Sequence, residues 1–296
     1  MSFPKRLTSA VAATAFVFAS FPAAQLSALS SRPNETANPL CPFGPGIARW
    51  AVKTSVPPGQ PTTDFTDVKL DDLINAPDLE VDQATRAAMF RAYTATRTGA
   101  ALAEPSPGLT ARMRWASPAQ PFTLSLPGIT PRLAAKAASI SQAVSDKGEM
   151  PPSAPFALLT AQLGGQRIPD PVTIGGRQLR EGNFIRVSGV VLASTCEHDD
   201  GDFHVDLGDS ANSDTCAVVE VPNSAYIEQQ PLAQMIGAAE AKAKGLARGE
   251  DVSVIGQLFY DTAHGGTSSP GGGRGVGHCA QSLWEVHPVF AISVSS

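Results

Sequence analysis

The chain has 296 residues, 43% of them apolar, 17% charged and 6% aromatic, with a formal net charge of −5. That length supports a real core in one or two domains, and the 26 glycines and 25 prolines make loops abundant. The acidic balance argues against the basic surface that nonspecific binding to nucleic acid or anionic lipid needs, and no periodic repeat points to a solenoid, collagen or coiled coil.

Residues 1–31 read as an export signal. Lys5 and Arg6 precede an uncharged, mostly apolar run over Leu7–Ala24, and no acid occurs before Glu35. A membrane anchor is the competing reading, weakened by the Ala, Ser and Thr content of that run. The cleavage point falls loosely within Ala23–Ser31. The expected location is therefore outside the cytoplasm, periplasmic or extracellular, with no membrane segment beyond the signal. Removing the signal takes two basic residues and no acid, so the mature chain is more acidic still.

Residues 32–46 are rich in Pro and Asn and read as a linker. A loop-rich region with short helices follows over 47–178. Ile47, Trp50 and Val52 predict a short strand or extended arm, and Asp67–Asn75 a short helix stopped before Pro77. Asp82 is placed to cap a helix over Gln83–Thr98. Proline-punctuated loops come next. Thr130 with Pro131 is a strong helix start, and that helix should reach about Ser145. Pro151, Pro152 and Pro155 break the chain again.

The pattern changes near residue 179. Strands are predicted over Phe184–Ser194, Asp202–Asp209, Cys216–Pro222, Asp251–Asp261 and Leu283–Val294. A helix is predicted within Ser224–Ala247, with Pro231 restarting or kinking it. Three strands, a helix and two strands is the order of an OB-fold. The fold class is thus α+β: a C-terminal five-stranded OB-like β-barrel over 179–296 with one inter-strand helix, preceded by the loop-rich region. An α+β sandwich and a generic roll are the alternatives. Pro288, inside the last strand, needs an unpaired edge or a bulge.

Two segments carry a resemblance. RWAVKTSV at 49–56, with the segment at 62–74, is the first. The second is DFHVDLGDS at 202–210, AVVEVP at 217–222, IGQLFYDTAHG at 255–265 and LWEVHPV at 283–289. Together they resemble a family of uncharacterised exported bacterial proteins with an Arg-Trp-x-Val-Lys-Thr opening and an (Ile/Trp)-Glu-(Leu/Val)-His-Pro-Val ending. The resemblance supports the OB-like reading and implies no activity. It marks Asp202, His204, Asp261, His264, Glu285 and His287 as binding candidates.

Asp202, His204 and Asp206 sit two apart and share one strand face, where carboxylate and imidazole can hold a divalent metal. A solvated strand face is the competing reading. Asp261 with His264, and Glu285 with His287, fit a metal ligand with its orienting partner, a general base with its partner, or a structural pair. The Gly-rich loop at 264–278 lacks the ending of a phosphate loop. No nucleophile motif and no His-Glu-x-x-His is present, so no catalytic residue is assigned. Cys41, Cys196, Cys216 and Cys279 suggest two disulfides. Three pairings are open, and the parallel third and fifth strands of an OB-fold favour Cys216 with Cys279.

The expected function is a non-enzymatic binding or structural module. The alternative is a metal-dependent hydrolase with His and carboxylate ligands. No cofactor is assigned beyond a divalent metal at these residues. The acidic strand face favours a protein, peptide or saccharide partner over nucleic acid.

Overall fold

The computed structural model describes residues 49–56, 59–81, 111–115, 124–126, 130–146, 154–197, 201–265 and 278–295. The export signal, the linker, Cys41, the helix expected over Gln83–Thr98 and most of the Gly-rich loop lie outside these residues. Among the described residues no helix is long and apolar enough to cross a membrane.

The first described element corrects an expectation. Trp50–Lys53 forms one helical turn, α1, and not a strand or extended arm. Val52 and Lys53 both donate to Arg49 O, at 2.8 and 3.1 Å, so these amides are closed locally and cannot join a sheet. Strand β1 (Thr66–Asp67) precedes α2 (Leu70–Ile74), which is shorter than its expected span because Thr66 and Asp67 enter the sheet.

Strands β2 (Leu79–Val81), β3 (Ala111–Trp115) and β4 (Leu124–Leu126) form a small antiparallel sheet where the prolines suggest only loops. Helix α3 (Pro131–Asp146) starts as expected, with Leu133 N donating to Thr130 Oγ1 at 3.2 Å. Helix α4 (Ala154–Leu163) is not foreshadowed by periodicity. Residues Phe156, Ala157, Leu158, Leu159, Thr160 and Ala161 are all buried, so it has almost no polar face to create a period. A hairpin of β5 (Val172–Ile174) and β6 (Arg177–Leu179) turns on Gly175 and Gly176, both at positive φ.

The C-terminal part is a closed OB-like barrel. It comprises β7 (Phe184–Cys196), β8 (Phe203–Gly208), β9 (Ala217–Val221), β10 (Asp251–Tyr260) and β11 (Trp284–Val294). The order runs β7-β10-β11-β9-β8, and β8 pairs back onto β7 to close it. Only β9 and β11 run parallel within the barrel; β1 adds a short parallel pairing to β7. Helix α5 (Gln230–Ala243) separates β9 from β10 and buries Leu232, Ile236, Ala239 and Ala243 as one stripe. Pro231 lies in its first turn, where a missing N–H costs nothing; Ser224–Tyr226 is a separate 3-10 turn.

Alternation along the strands divides the barrel. Phe203, Val205 and Leu207 of β8, Ala217, Val219 and Val221 of β9, and Trp284 and Val286 of β11 join the main core. Their neighbours Asp202, His204, Asp206, Glu220, Glu285 and His287 therefore face the other way, onto the outer surface of β8, β9 and β11. Pro288 is accommodated by an irregularity. The β10–β11 register shifts between Gly256 and Leu258, and Gln257 Nε2 donates to His287 O at 3.1 Å across the gap. The His287–Pro288 bond is cis.

Candidate metal centre

The outer face of β8, β9 and β11 is not a solvated surface. Asp202, Glu285 and His287 are fully buried, and His204 and Glu220 nearly so. What covers the face on one side is the arm around α1. Arg49 forms a buried two-point pair with Glu181 and also donates to Tyr260 O at 2.9 Å and Gln166 O at 2.8 Å. Gln257 Nε2 donates to Val52 O at 3.2 Å. The arm so fixed sets Lys53 Nζ 3.4 Å from Glu220 Oε2, and the Arg49 guanidinium and the Lys53 ammonium both lie over the Phe259 ring, at 5.1 and 5.8 Å from its centroid. On another side the Cys216–Cys279 disulfide ties the start of β9 to the approach of β11. Their Cα atoms are 5.1 Å apart, and Cys216 bridges in parallel to Ala280. Cys196 is disulfide-bonded too.

His204 and Glu220 stand directly opposite each other in the β8–β9 register. His204 has two different sides. Its Nε2 hydrogen-bonds Asp206 Oδ1 at 3.1 Å. Its Nδ1 lies 2.9 Å from Glu197 Oε1 and 3.3 Å from Glu220 Oε1, yet makes no hydrogen bond because neither oxygen lies along the ring N–H direction. His287 repeats the pattern. Its Nδ1 hydrogen-bonds Glu220 Oε2 at 2.5 Å, and its Nε2 makes no hydrogen bond while facing Asp202 Oδ2 at 3.5 Å. Glu285 Oε1 is 3.4 Å from His287 Nδ1. Glu220 thus turns one oxygen towards each imidazole.

The cage attracts positive charge strongly. Burial pushes the His204 imidazole down, but the carboxylates of Asp206, Glu197 and Glu220 hold it well above the ordinary histidine value. Burial and Lys53 depress His287, and Glu220 and Glu285 outweigh them, raising it to about 9. Burial pushes Glu220 up; Lys53, His204 and His287 bring it well below the usual carboxylate range.

Two overlapping donor sets result: Glu197, His204 and Glu220, and Asp202, Glu220 and His287, each with its donor atoms within 4.8 Å of one another. Metal bonds of about 2.0–2.2 Å put neighbouring donors roughly 3.0–3.5 Å apart, and they flank the nitrogen's lone-pair axis, whereas a hydrogen-bond acceptor sits on it. The spacing and off-axis placement around His204 Nδ1 match the first case. A third set, Asp206, His278, Cys216 and Cys279, includes both sulfurs of the disulfide, which are not thiolate ligands.

Of the sequence candidates, Asp202, His204, Glu285 and His287 come together here. Asp261 and His264 pair with each other on the 3-10 turn after β10, where Asp261 also caps Ala263 N. Lys53, Glu197 and Glu220 complete the centre and were not among the candidates. Glu220 had a signal, since it alone interrupts the apolar run of β9.

No protein-family model and no curated protein matches the chain. Among solved structures, an OBody bound to hen egg-white lysozyme is similar at 14% identity and a TM-score of 0.25, covering 38% of this chain and 82% of that one. A chain of the S. pombe Stn1–Ten1 complex is similar at 14% identity and a TM-score of 0.24, covering 42% of this chain and 65% of that one. At these values neither likeness bears on function.

Proposed function

We propose that the protein is an exported binding or structural module whose working part is a divalent-cation centre on the outer face of its OB-like barrel. The observation that carries this reading is His204. One ring nitrogen is fixed by Asp206, and the other makes no hydrogen bond while Glu197 and Glu220 flank it at 2.9 and 3.3 Å. A carboxylate holding one imidazole nitrogen while the other binds metal is the usual arrangement of a metal-ligating histidine. One nitrogen with carboxylate oxygens suits zinc or manganese better than calcium or magnesium. The strand face that OB barrels offer to oligonucleotides is here acidic and covered by the chain's own arm, which favours a protein, peptide or saccharide partner.

A metal-dependent hydrolase is the second reading. It is favoured by Glu197, whose side chain is 38% exposed, so the His204 side of the centre reaches solvent, the source a metal-bound water would need.

The test is elemental analysis of the oxidised mature protein, purified without a His tag. Zinc or manganese at one equivalent or more, with loss of at least one equivalent in His204→Ala, is the expected result. A folded protein that retains no metal, and takes up none after dialysis against zinc or manganese, overturns the reading. Metal-dependent turnover of ester, peptide or phosphodiester substrates would select the hydrolase over the non-enzymatic module.

A further inference from the structure

We infer that His287 and Lys53 are positioning residues that occupy Glu220 Oε2 between them, so that Glu220 meets the cation through Oε1 alone and the centre is a four-coordinate zinc site. This rests on the metal reading of the His204 side and deepens it, naming the metal and the residues that select it.

The argument starts from the two oxygens of Glu220. Each carboxylate oxygen offers about two acceptor directions. Oε2 accepts from His287 Nδ1 at 2.5 Å and from Lys53 Nζ at 3.4 Å, which uses both. Oε1 is turned to His204 Nδ1, 3.3 Å away. A cation beside His204 therefore meets one oxygen of Glu220 and not two. His287 is not a ligand of that cation. It presents an N–H to Glu220, and its other nitrogen, Nε2, faces Asp202 Oδ2 at 3.5 Å.

Both donors are fixed. The His287 ring is fully buried and stands against Phe259 at 5.6 Å between centroids, with Glu285 Oε1 3.4 Å from Nδ1. Lys53 is carried by the arm that Arg49 pins to Glu181. One buried side chain joins the two. Gln257 Nε2 donates to His287 O at 3.1 Å and to Val52 O, next to Lys53, at 3.2 Å.

The ligand count sets the metal. Glu197 Oε1, His204 Nδ1 and Glu220 Oε1 supply three protein donors, and Glu197 lies at the solvent edge, the source of a water as the fourth. Three such donors with a water make a tetrahedral zinc site. Calcium takes about six to eight oxygens, often both from one carboxylate, and manganese favours an octahedral set. Withholding Oε2 keeps the count low and disfavours both.

The experiment uses full-length oxidised protein, stripped with chelator and titrated with cobalt(II). Equilibrium dialysis reads stoichiometry, and visible absorption, which strengthens as cobalt passes from six ligands to four, reads geometry. Competition between zinc and manganese on the same samples reads selectivity. The wild type should bind one equivalent with intense bands and prefer zinc. His287→Leu and Lys53→Met should weaken the bands and lower zinc affinity about 10–100-fold, with manganese affected less. His287→Asn, which returns an N–H where Nδ1 stood, should restore both. Lost packing alone would weaken every metal alike and leave the bands of the bound ion unchanged. A wild type with the weak bands of a six-coordinate ion overturns the inference. So do folded variants that keep the wild-type spectrum and preference, or loss of cobalt in His287→Asn, which would make His287 a ligand. Each of these leaves the cation centre standing, whereas a wild type that binds none of the three metals overturns both. If the His287 variants do not fold, Lys53→Met, on the covering arm, decides with the wild type.

Discussion

Arg49 and Glu181, 132 residues apart in sequence, form a two-point ion pair at 2.7 and 2.5 Å, and neither side chain has any exposed surface. The Glu181 carboxylate also accepts from Ile168 N at 2.5 Å and Tyr260 N at 3.0 Å. One carboxylate therefore fixes the arm, a connecting loop and the end of β10. Replacing Arg49 with Met leaves that carboxylate buried and short of its cation. The expected loss is about 3–5 kcal/mol of unfolding free energy, read by urea titration. The exposed Arg186–Asp67 pair is the control, and Asp67→Asn should leave the urea midpoint unchanged within error.

The Cys216–Cys279 disulfide closes a span of 63 residues. Constraining a loop of that length in the unfolded chain is worth about 4 kcal/mol on the chain-entropy argument. The double replacement by Ser should lower stability by an amount of that order while leaving the far-ultraviolet circular dichroism in place. A loss below about 1 kcal/mol would mean that the β9–β11 pairing holds the unfolded chain together without the bridge.

Stability of the metal-stripped protein should fall as pH rises. The folded-state pKa of His287 is about 9 against an ordinary 6.5, and His204 is raised in the same direction. A group raised on folding contributes fully below its unfolded value and loses the contribution as pH passes through its folded value. The His287 contribution is therefore present below about 6.5 and gone above about 9. Urea midpoints across that window, taken with chelator present, should decline; a flat profile would mean that the imidazoles are not charged in the folded state.

Gly256 should not tolerate a side chain. A Cβ at this position would lie 2.3 Å from Val286 Cγ1, 2.7 Å from Pro288 O and 3.1 Å from Val289 Cα. Two of these atoms are backbone, so Gly256→Ala must shift β11 beside His287. A destabilisation of about 1–3 kcal/mol or more is expected by thermal melting, together with weaker metal retention.

The barrel was legible because its strands are short apolar runs set off by turns, and one of them alternates cleanly between a core and an outer face. Phe203, Val205 and Leu207 against Asp202, His204 and Asp206 define one strand and both of its faces without help from the rest of the chain. The helix before β10 and the strand order completed the OB-like reading. Helix α4 was not legible because burial on all sides removes the period that marks a helix. The small sheet of β2, β3 and β4 was hidden for another reason: strands of three to five residues between prolines carry little pattern.

The sequence by itself determined which residues leave the barrel core, because side-chain direction in a strand follows from position alone. Whether that outer face meets water could only be decided by tertiary structure. Lys53 reaches Glu220 across 167 residues, and the arm that carries it is anchored by a pair spanning 132. Burial of a charge depends on what packs over it, and the covering segment here comes from the far end of the chain. The same packing turns an ordinary polar strand face into a closed cage, where desolvation strengthens every attraction between carboxylate, imidazole and cation.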